Sequence, residues 1–272
     1  MIRRILKNVG LYEGDAPDAS VQLERDGWAR LDGVFSAGEV ATMKAEIDAV
    51  FDAMPPERSR DDKNEFRYEM VNRSAACQGA LAHRRILEVV EPLLGEDCHV
   101  IANTAWRNPP EFGGSVWHTD AGPHVPRPEG VPWDDRIPYP VFAVATHFLL
   151  ADCTVADGPT EVVPGSHRSG RLVPYEKLKT EPLAYEGRQP VLLEGSAGDV
   201  LLFVSDIWHR GHAAEGGRGR YFLQVHYGRR DIAQRLRTTD VANQLSPEAI
   251  ERATTNRERE LVGLHPPFFY DG

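Results

Sequence analysis

The sequence predicts a mainly β protein with helices (α+β class), built as a double-stranded β-helix or jelly-roll barrel flanked by N-terminal helices. Two observations predict this fold class. Apolar residues recur at helical spacing in the first hundred residues, and from residue 98 short β-rich runs appear, separated by Gly and Pro. Many short strands after a helical section are typical of a barrel with helices packed on one side.

The chain of 272 residues is long enough to bury a full core, and it shows no internal repeat or low-complexity linker. We therefore expect one domain over 1–272. In it, a helical support at about 20–97 carries a barrel at about 98–230, and a tail follows at 231–272.

The N-terminal elements are predicted from local signals. Residues 25–31 predict a short opening strand. Ser36 and Glu39 have the spacing of a capping box, and the helix after them places apolar residues on one face. The Pro-rich and charged stretch 55–66 predicts an exposed loop, and a second helical region is expected over 74–94.

The β-rich part is followed by a helical tail. Residues 121–139 contain five prolines and predict a long binding loop or lid over the site that precedes it. A helix is expected near 246–261, and the apolar end 266–270 is expected to dock on the body or on a partner subunit. The predicted strands are 99–107, 115–118, 141–151, 160–163, 190–193, 199–204 and 220–228.

Composition excludes several classes of function. The net charge of −10 argues against a nucleic-acid surface, and no apolar run approaches the roughly 20 residues of a membrane helix. The first residues lack the long apolar stretch of a signal peptide. Three scattered cysteines without CxxC spacing indicate neither a disulfide framework nor a zinc knuckle, so we expect a cytoplasmic protein. The sequence leaves the oligomeric state open, a homodimer included.

The tripeptide His-Thr-Asp at 118–120 is the most informative stretch. In extended backbone, its imidazole and carboxylate point to the same side of a strand. One more histidine would complete the two-histidine, one-carboxylate triad of a non-haem Fe(II) oxygenase, which keeps open coordination positions. Three histidines lie late enough to come from another strand: His209, His212 and His226.

Four segments occur in an order that is typical of a known family. They are Asp-Gly-Trp at 26–28 with its following helix, Trp-His-Thr-Asp at 117–120, Gly-Pro-Thr-Glu-Val-Val-Pro-Gly-Ser-His at 158–167, and 198–220 with its Gly-Asp start. In these segments the chain resembles the phytanoyl-CoA dioxygenase-like branch of the Fe(II)/2-oxoglutarate oxygenases. The resemblance covers most of residues 20–230 and implies a cupin-like jelly roll.

The resemblance implies a ligand set and a co-substrate anchor. It makes His118, Asp120 and His209 the expected Fe(II) ligands and catalytic centre. Arg220 follows His209 by eleven residues, the family's spacing for the arginine that binds the distal carboxylate of 2-oxoglutarate. A guanidinium holds a carboxylate bidentately and stays charged when buried. Gly211 departs from the family, which often has a serine there.

Further residues are expected near the co-substrate. The resemblance implies that His147, Trp106 and Thr160 line its site, and it makes Arg107 a weaker candidate. Strand alternation places Gln224 and His226 on the same face as Arg220. His167 lies in a Pro-Gly-Ser-His turn that the family uses structurally, and His212 is expected to be peripheral. Four loop residues are candidates for contacts with a polar substrate: Trp133, Asp134, Asp135 and Arg136.

The resemblance implies hydroxylation of an unactivated C–H bond in a small or medium-sized metabolite, with Fe(II), 2-oxoglutarate and O2 as cofactors and succinate and CO2 as products. Asp120 argues against halogenation, because halogenating relatives replace the metal carboxylate with a small residue. Two alternatives stay open: a cupin-like metal enzyme that does not use 2-oxoglutarate, and a non-catalytic ligand-binding family member. Arg220 argues against the cupin-like enzyme, which would not need this arginine. The intact triad argues against the non-catalytic member. An acyl-CoA substrate would need a basic entrance, for which Arg127, Arg136 and Arg168 are candidates.

Overall fold

The computed structural model describes residues 17–54, 65–178, 183–234 and 245–265. The predicted docking of 266–270 and most of the predicted loop 55–66 lie outside these residues.

The α-helices occur in the N-terminal and C-terminal parts of the described chain. None of the described helices is long and apolar enough to cross a membrane. They are α1 (Asp18–Asp26), α2 (Ala37–Ala53), α3 (Met70–Arg73), α4 (Ala75–Ala80), α5 (Arg84–Leu94), α6 (Pro247–Arg252) and α7 (Asn256–Leu261).

The strands form two antiparallel sheets, a six-stranded one in the order β1-β7-β4-β9-β3-β2 and a three-stranded one in the order β6-β5-β8. Their bounds are β1 (Trp28–Leu31), β2 (Glu65–Tyr68), β3 (His99–Arg107), β4 (Ala143–Leu149), β5 (Thr160–Val162), β6 (Val191–Leu193), β7 (Val200–Val204), β8 (His209–Gly211) and β9 (Tyr221–Gly228).

Strand alternation divides the core into two layers. One cluster lies between the sheets and joins Val162 and Leu193 of the small sheet to Phe203 and Phe222 of the large one. The other face of the large sheet packs its alternate residues against the helices, as Val200, Leu202 and Val204 do on β7. Because side chains on a strand alternate between faces, the same strands supply both layers. This is the jelly-roll arrangement expected from the sequence, with helices on one side.

Several predicted elements need correction. Residues 25 and 26 end α1 instead of opening a strand, and Gly27 ends that helix with φ 82°, so β1 starts at Trp28. The capping box of Ser36 and Glu39 is confirmed. The predicted loop 55–66 gives way at Glu65 to β2, an edge strand paired with β3.

The predicted helical regions are broken by short turns. The region 74–94 consists of α4 and α5 with a turn at 81–83 between them, and the region 246–261 consists of α6 and α7. Residues 115–118 form no regular strand, but His118 makes an isolated antiparallel bridge with His209. This bridge matters most for the site, since it joins two of the predicted metal ligands.

Candidate active site

A cavity of about 650 Å³ opens between the two sheets. Both sheets contribute to its wall, including β2 at the edge of the large sheet, so residues distant in sequence meet there. All seven residues predicted for the site line it: Trp106, His118, Asp120, His147, Thr160, His209 and Arg220.

His118, Asp120 and His209 lie close enough to hold one metal ion, with one ligand atom from each within 4.8 Å of the others. The bridge between His118 and His209 fixes their backbones through two N–H···O=C bonds of 2.9 Å. Asp120 is held by its own N–H, which donates to the carbonyl of Ser205 at 3.0 Å. Two chain segments that are distant in sequence, 118–120 and the start of β8, therefore present the three side chains to one point.

The two histidines present the same nitrogen to this point. Nδ1 of His118 lies 2.9 Å from the carbonyl oxygen of Val116, and Nδ1 of His209 lies 3.0 Å from that of Ile207. A carbonyl only accepts, so each Nδ1 carries a proton and each Nε2 presents its lone pair. The Nε2 atoms lie 3.9 Å and 3.5 Å from Oδ1 of Asp120.

The electrostatics favour an ionised carboxylate between the imidazoles. Burial alone would raise the pKa of Asp120, but the attraction of His209 and His226 outweighs it and holds the pKa well below its usual range. Burial, together with repulsion by His209, lowers the pKa of His118. Burial also acts to lower the pKa of His209, but Asp120 outweighs this and raises it. A metal ion would take the place of the proton that Asp120 favours on His209, and an ionised carboxylate with two imidazoles is a donor set that suits a divalent metal ion.

His226 is a third imidazole at this point. Its Nε2 lies 3.5 Å from Oδ2 of Asp120, whereas Nε2 of His209 lies 3.5 Å from the other oxygen, Oδ1. Its position confirms the expected alternation on β9, where Phe222, Gln224 and His226 all line the cavity.

Arg220 lines the same cavity and is buried, with 9% of its surface exposed. Its Nη1 donates to Oγ1 of Thr160 at 3.3 Å, and Oγ1 of Thr160 lies 3.3 Å from Nδ1 of His147. The guanidinium carbon lies 4.8 Å and 5.2 Å from the ring centres of Phe112 and Phe222. Burial lowers the pKa of Arg220 to about 10, so the guanidinium still carries its charge at neutral pH.

Two buried nitrogens of this cluster lack a hydrogen-bond partner among the described residues: Nε of Arg220 and Nε2 of His147. Burial, with repulsion by Arg220, pushes the pKa of His147 well below its usual value, so its imidazole is neutral. Buried polar atoms are normally bonded. The cluster therefore has hydrogen-bonding capacity for a polar group in the cavity.

Trp106 forms part of the aromatic wall. Its indole N–H donates to Oε1 of Gln224 at 2.9 Å, and its ring stacks parallel to that of Phe222 at 6.3 Å. Arg107 points elsewhere. It bonds Glu65 and Asp48 at 2.7 Å and 3.2 Å, so the weaker expectation that it lines the site was wrong.

The loop 121–139 does not cover the site as predicted. Within the described residues, the cavity wall contains no side chain from it, including the candidates Trp133, Asp134, Asp135 and Arg136. The loop turns toward the Pro-Gly-Ser-His turn, where the N–H of Arg127 donates to Gly170 at 3.1 Å and Asp135 pairs with Arg168 at 2.8 Å. Asp134 pairs with Arg136 at the surface.

The other histidines behave as the sequence suggested. His167 is buried, and its Nε2 lies 3.0 Å from the carbonyl oxygen of Glu24. His212 pairs with Glu161 at 3.3 Å and does not line the cavity. Several wall residues lie on irregular backbone or on the edge strand, and no pattern in the sequence indicated them: Tyr68, Glu69, Asn108, Phe112 and Ser115.

Comparison with known proteins agrees with this geometry. Residues 23–221 match the sequence model of the phytanoyl-CoA dioxygenase (PhyH) family. The chain belongs to this family. It is thus a member of a family of Fe(II)- and 2-oxoglutarate-dependent oxygenases, and the resemblance seen in its motifs is confirmed.

Two similar relatives of this PhyH-family chain are ectoine dioxygenases. The protein from Sphingopyxis alaskensis is 30% identical over 176 residues, which cover 58% of this chain and 53% of that protein. The protein from Nocardia farcinica is 26% identical over 215 residues, which cover 68% of each chain. The chain thus spans only about half the length of the first relative.

Solved structures show the same fold. EctD from S. alaskensis, solved with 2-oxoglutarate and 5-hydroxyectoine, is 24% identical, with a TM-score of 0.59 and coverage of 86% of this chain and 80% of that one. HygX from Streptomyces hygroscopicus, solved with nickel, 2-oxoglutarate and hygromycin B, is 16% identical, with a TM-score of 0.62 and coverage of 80% and 89%. The PhyH-family fold expected from the sequence is confirmed.

Proposed function

We propose that the chain is an Fe(II)- and 2-oxoglutarate-dependent oxygenase that hydroxylates an unactivated C–H bond of a small or medium-sized metabolite. The observation that carries the proposal is the geometry of the cavity. Two imidazole Nε2 atoms and a carboxylate converge at one point of its wall, and a buried arginine lines the same cavity. His118, Asp120 and His209 are the proposed metal ligands and catalytic centre.

The residues fit a metal ion of this kind. Oδ2 of Asp120 is buried without a hydrogen-bond partner among the described residues, which is the state of a carboxylate that a cation would satisfy. The carbonyls of Val116 and Ile207 orient both imidazoles, as outer-shell partners of metal ligands do. Three protein ligands leave coordination positions for the co-substrate and O2.

We further propose that Arg220, Thr160 and His147 bind the distal carboxylate of 2-oxoglutarate. Arg220 supplies the charge, because a guanidinium pairs with a carboxylate in a planar, bidentate manner. Arginine has only donors, so Oγ1 of Thr160 accepts from it and directs its own proton to Nδ1 of His147. Nε2 of His147 then carries the imidazole proton and donates to the carboxylate. Trp106 closes the wall beside this group.

When bound, Fe(II) and 2-oxoglutarate supply the oxidising chemistry, with succinate and CO2 as products and O2 as oxidant. The protein orients the reactants and excludes water. Phe112, Phe222 and Trp106 give the cavity an apolar part of its wall, and this strengthens the electrostatic interactions inside it. Asp120 occupies the ligand position that halogenating relatives keep vacant, which favours hydroxylation.

Two alternatives make different predictions. A cupin-like metal enzyme that does not use 2-oxoglutarate has no need of a buried arginine facing the cavity. A non-catalytic ligand-binding member has no need of an intact triad. The presence of both features favours the oxygenase.

Anaerobic titration with Fe(II) and then 2-oxoglutarate tests the class, read by iron content and by the visible charge-transfer absorption of the ternary complex. His118→Ala and Asp120→Ala are each expected to lower iron affinity by more than the ~10–100-fold typical of a lost outer-shell partner. His212→Ala is the matched control, since His212 lies outside the cavity wall. Unchanged iron affinity in His118→Ala and Asp120→Ala would rule out this metal site.

Loss of the anchor tests the co-substrate. Arg220→Gln is expected to weaken 2-oxoglutarate binding roughly 100-fold while iron affinity is retained, because two charge-assisted hydrogen bonds are lost. An unchanged affinity for 2-oxoglutarate would favour the cupin-like alternative.

The relatives supply the first substrate to test. Two of them are ectoine dioxygenases, and we propose a small polar metabolite of that kind. Ectoine-dependent succinate release, compared with release in the absence of ectoine, measures this directly.

A cytoplasmic location and a homodimer remain predictions, the first supported by three buried cysteines that are all free thiols.

A further inference from the structure

The cavity has a second polar wall that the proposed metal and co-substrate do not use. Glu69 and Asn103 form it where β2 leaves the edge of the large sheet, and both line the cavity. Glu69 is 6% exposed and Asn103 is 2% exposed. A buried acid and a buried amide in a cavity wall are well placed to recognise a ligand.

Glu69 has an unusual backbone conformation. With φ 56° and ψ 46° it is left-handed, which is uncommon for a residue other than glycine. Its N–H still donates to the carbonyl of Asn103 at 2.8 Å, so the pairing of the two strands continues to this residue. Alternation would place Glu69 on the same face as the buried Arg67, and the left-handed turn changes this direction. Such conformations concentrate at ligand sites.

Asn103 offers a donor of fixed orientation. Its Oδ1 accepts from the N–H of Val71 at 2.7 Å, so the amide nitrogen is directed away from that bond. Nδ2 is buried and has no hydrogen-bond partner among the described residues. A bound molecule with an acceptor atom at this position would satisfy it.

Aromatic rings extend this wall. Tyr68 lines the cavity beside Glu69, and Phe66 packs between it and Trp106, with ring centres 5.2 Å and 4.8 Å apart. Aromatic faces attract cations, and a buried carboxylate attracts them more strongly than an exposed one because the local dielectric is low. Acid and rings therefore favour the same class of ligand.

We propose that Glu69 and Asn103 form a substrate subsite for a cationic nitrogen group, an ammonium, amidinium or guanidinium, with an acceptor atom next to it. Glu69, whose Oε2 also accepts from Nδ2 of Asn72 at 3.3 Å, binds the cation, and Nδ2 of Asn103 donates to the acceptor. This proposal rests on the proposed function, since it assigns the substrate of the same cavity. It excludes purely anionic and uncharged apolar molecules as preferred substrates.

Two small probes of matched shape test the charge preference. Methylguanidinium and methylurea are titrated into the full chain loaded with Zn(II) and 2-oxoglutarate, and the NMR signal of the Trp106 indole N–H reports binding. Methylguanidinium is expected to bind at least about tenfold more tightly, the scale of a charge-assisted over a neutral hydrogen bond. Equal affinities in the unmodified protein would overturn the proposal.

Variants test whether Glu69 is the source of the preference for methylguanidinium over methylurea. Glu69→Gln is expected to abolish this preference. Glu69→Asp, which keeps the charge and tolerates the left-handed backbone, is expected to retain it. Glu65→Gln is the matched control, because Glu65 begins the strand that Glu69 follows but pairs with Arg107 outside the cavity wall. A preference that persists in Glu69→Gln would overturn the assignment. Failure of the oxygenase proposal would appear separately, as a missing charge-transfer absorption with Fe(II) and 2-oxoglutarate.

Discussion

Gly211 shows how one residue adapts the co-substrate end of the cavity. A side chain at this position would place its Cβ 2.8 Å from Nη2 of Arg220 and 2.8 Å from the ring of Phe112. The space that a serine side chain would take in other family members is thus filled by Phe112 and Arg220. Thr160, whose hydroxyl lies 3.3 Å from Nη1 of Arg220, offers a hydroxyl at the anchor instead.

The first prediction at this scale is that restoring the family's serine weakens the site. Gly211→Ser is expected to lower 2-oxoglutarate affinity about tenfold or more, because the new Cβ displaces a guanidinium that is packed between two rings, at the cost of a charge-assisted bond. Isothermal titration with 2-oxoglutarate in the presence of Zn(II) measures the change.

A double variant separates the steric effect of the new side chain from the effect of its hydroxyl group. Phe112→Ala combined with Gly211→Ser gives the new side chain room and is expected to recover part of the affinity. Tighter binding by Gly211→Ser alone would show that the missing hydroxyl, and not the packing, determines this end of the cavity.

At the scale of elements, the short segment before β8 holds two of the proposed ligands. The carbonyl of Ser205 accepts from the N–H of Asp120, and that of Ile207 lies 3.0 Å from Nδ1 of His209. Asp206 lies between them and is 3% exposed. Its carboxylate accepts from the backbone N–H of His124 at 2.9 Å and the hydroxyl of Tyr139 at 3.1 Å, and it also bonds the His124 imidazole.

Asp206 is therefore expected to position the metal ligands without touching the metal. Asp206→Asn keeps the shape but weakens three hydrogen bonds to a buried charge, each worth about 1.5–3 kcal/mol. Iron affinity should fall about tenfold, the effect of a lost outer-shell partner. Asp134→Asn, whose residue pairs with Arg136 at the surface, is the control. Iron affinity equal to that of the unmodified protein would contradict a positioning role.

The elements also show which features the sequence could predict. Period-two alternation from Arg220 placed Gln224 and His226 of β9 in the cavity, because regular strands fix the direction of each side chain. His147 of β4 was expected there from the family resemblance, and it also lines the cavity. The path of the loop 121–139 was not predictable in this way. It depends on ion pairs with distant residues, such as that of Asp135 with Arg168, which itself pairs with Glu24 of α1 at 3.2 Å.

The edge strand β2 was missed for a related reason. Its residues Glu-Phe-Arg-Tyr carry charges that suggest a loop, yet Arg67 is buried and donates to carbonyls of α2 and its end, at 3.3 Å to Phe51 and 2.6 Å to Met54. Contacts with distant residues thus stabilise a buried arginine that the local sequence pattern would place at the surface. The wall residues Tyr68 and Glu69 could not be predicted without this strand.

On the scale of the whole molecule, His167 joins the N-terminal helix to the barrel. Its Nε2 lies 3.0 Å from the carbonyl oxygen of Glu24, and its ring packs edge-on to that of Tyr139 at 5.0 Å. Gly27 closes over it: a Cβ there would lie 2.5 Å from Nδ1 of His167. A protonated imidazole is poorly tolerated in this place, and burial lowers the pKa of His167 to about 4.

The stability of the fold is therefore expected to fall in mild acid. The unfolded chain takes up the proton near the ordinary pKa of 6.5 and the folded chain only near 4, so the unfolded state binds more protons between these values. The contribution of His167 is present above pH 6.5 and is lost as the pH falls toward 4. Between pH 7 and pH 5 the loss amounts to about 2 kcal/mol of the free energy of unfolding.

Urea unfolding at pH 7 and pH 5 measures this loss in the unmodified protein and in His167→Gln. Glutamine does not titrate and keeps a donor for the carbonyl of Glu24, so the variant should lose about 2 kcal/mol less than the unmodified protein over the same interval. The difference between the two proteins isolates His167, because other titrating groups act on both. Identical losses would mean that the imidazole is protonated in the folded state, and that the contact between the N-terminal helix and the barrel tolerates a buried charge.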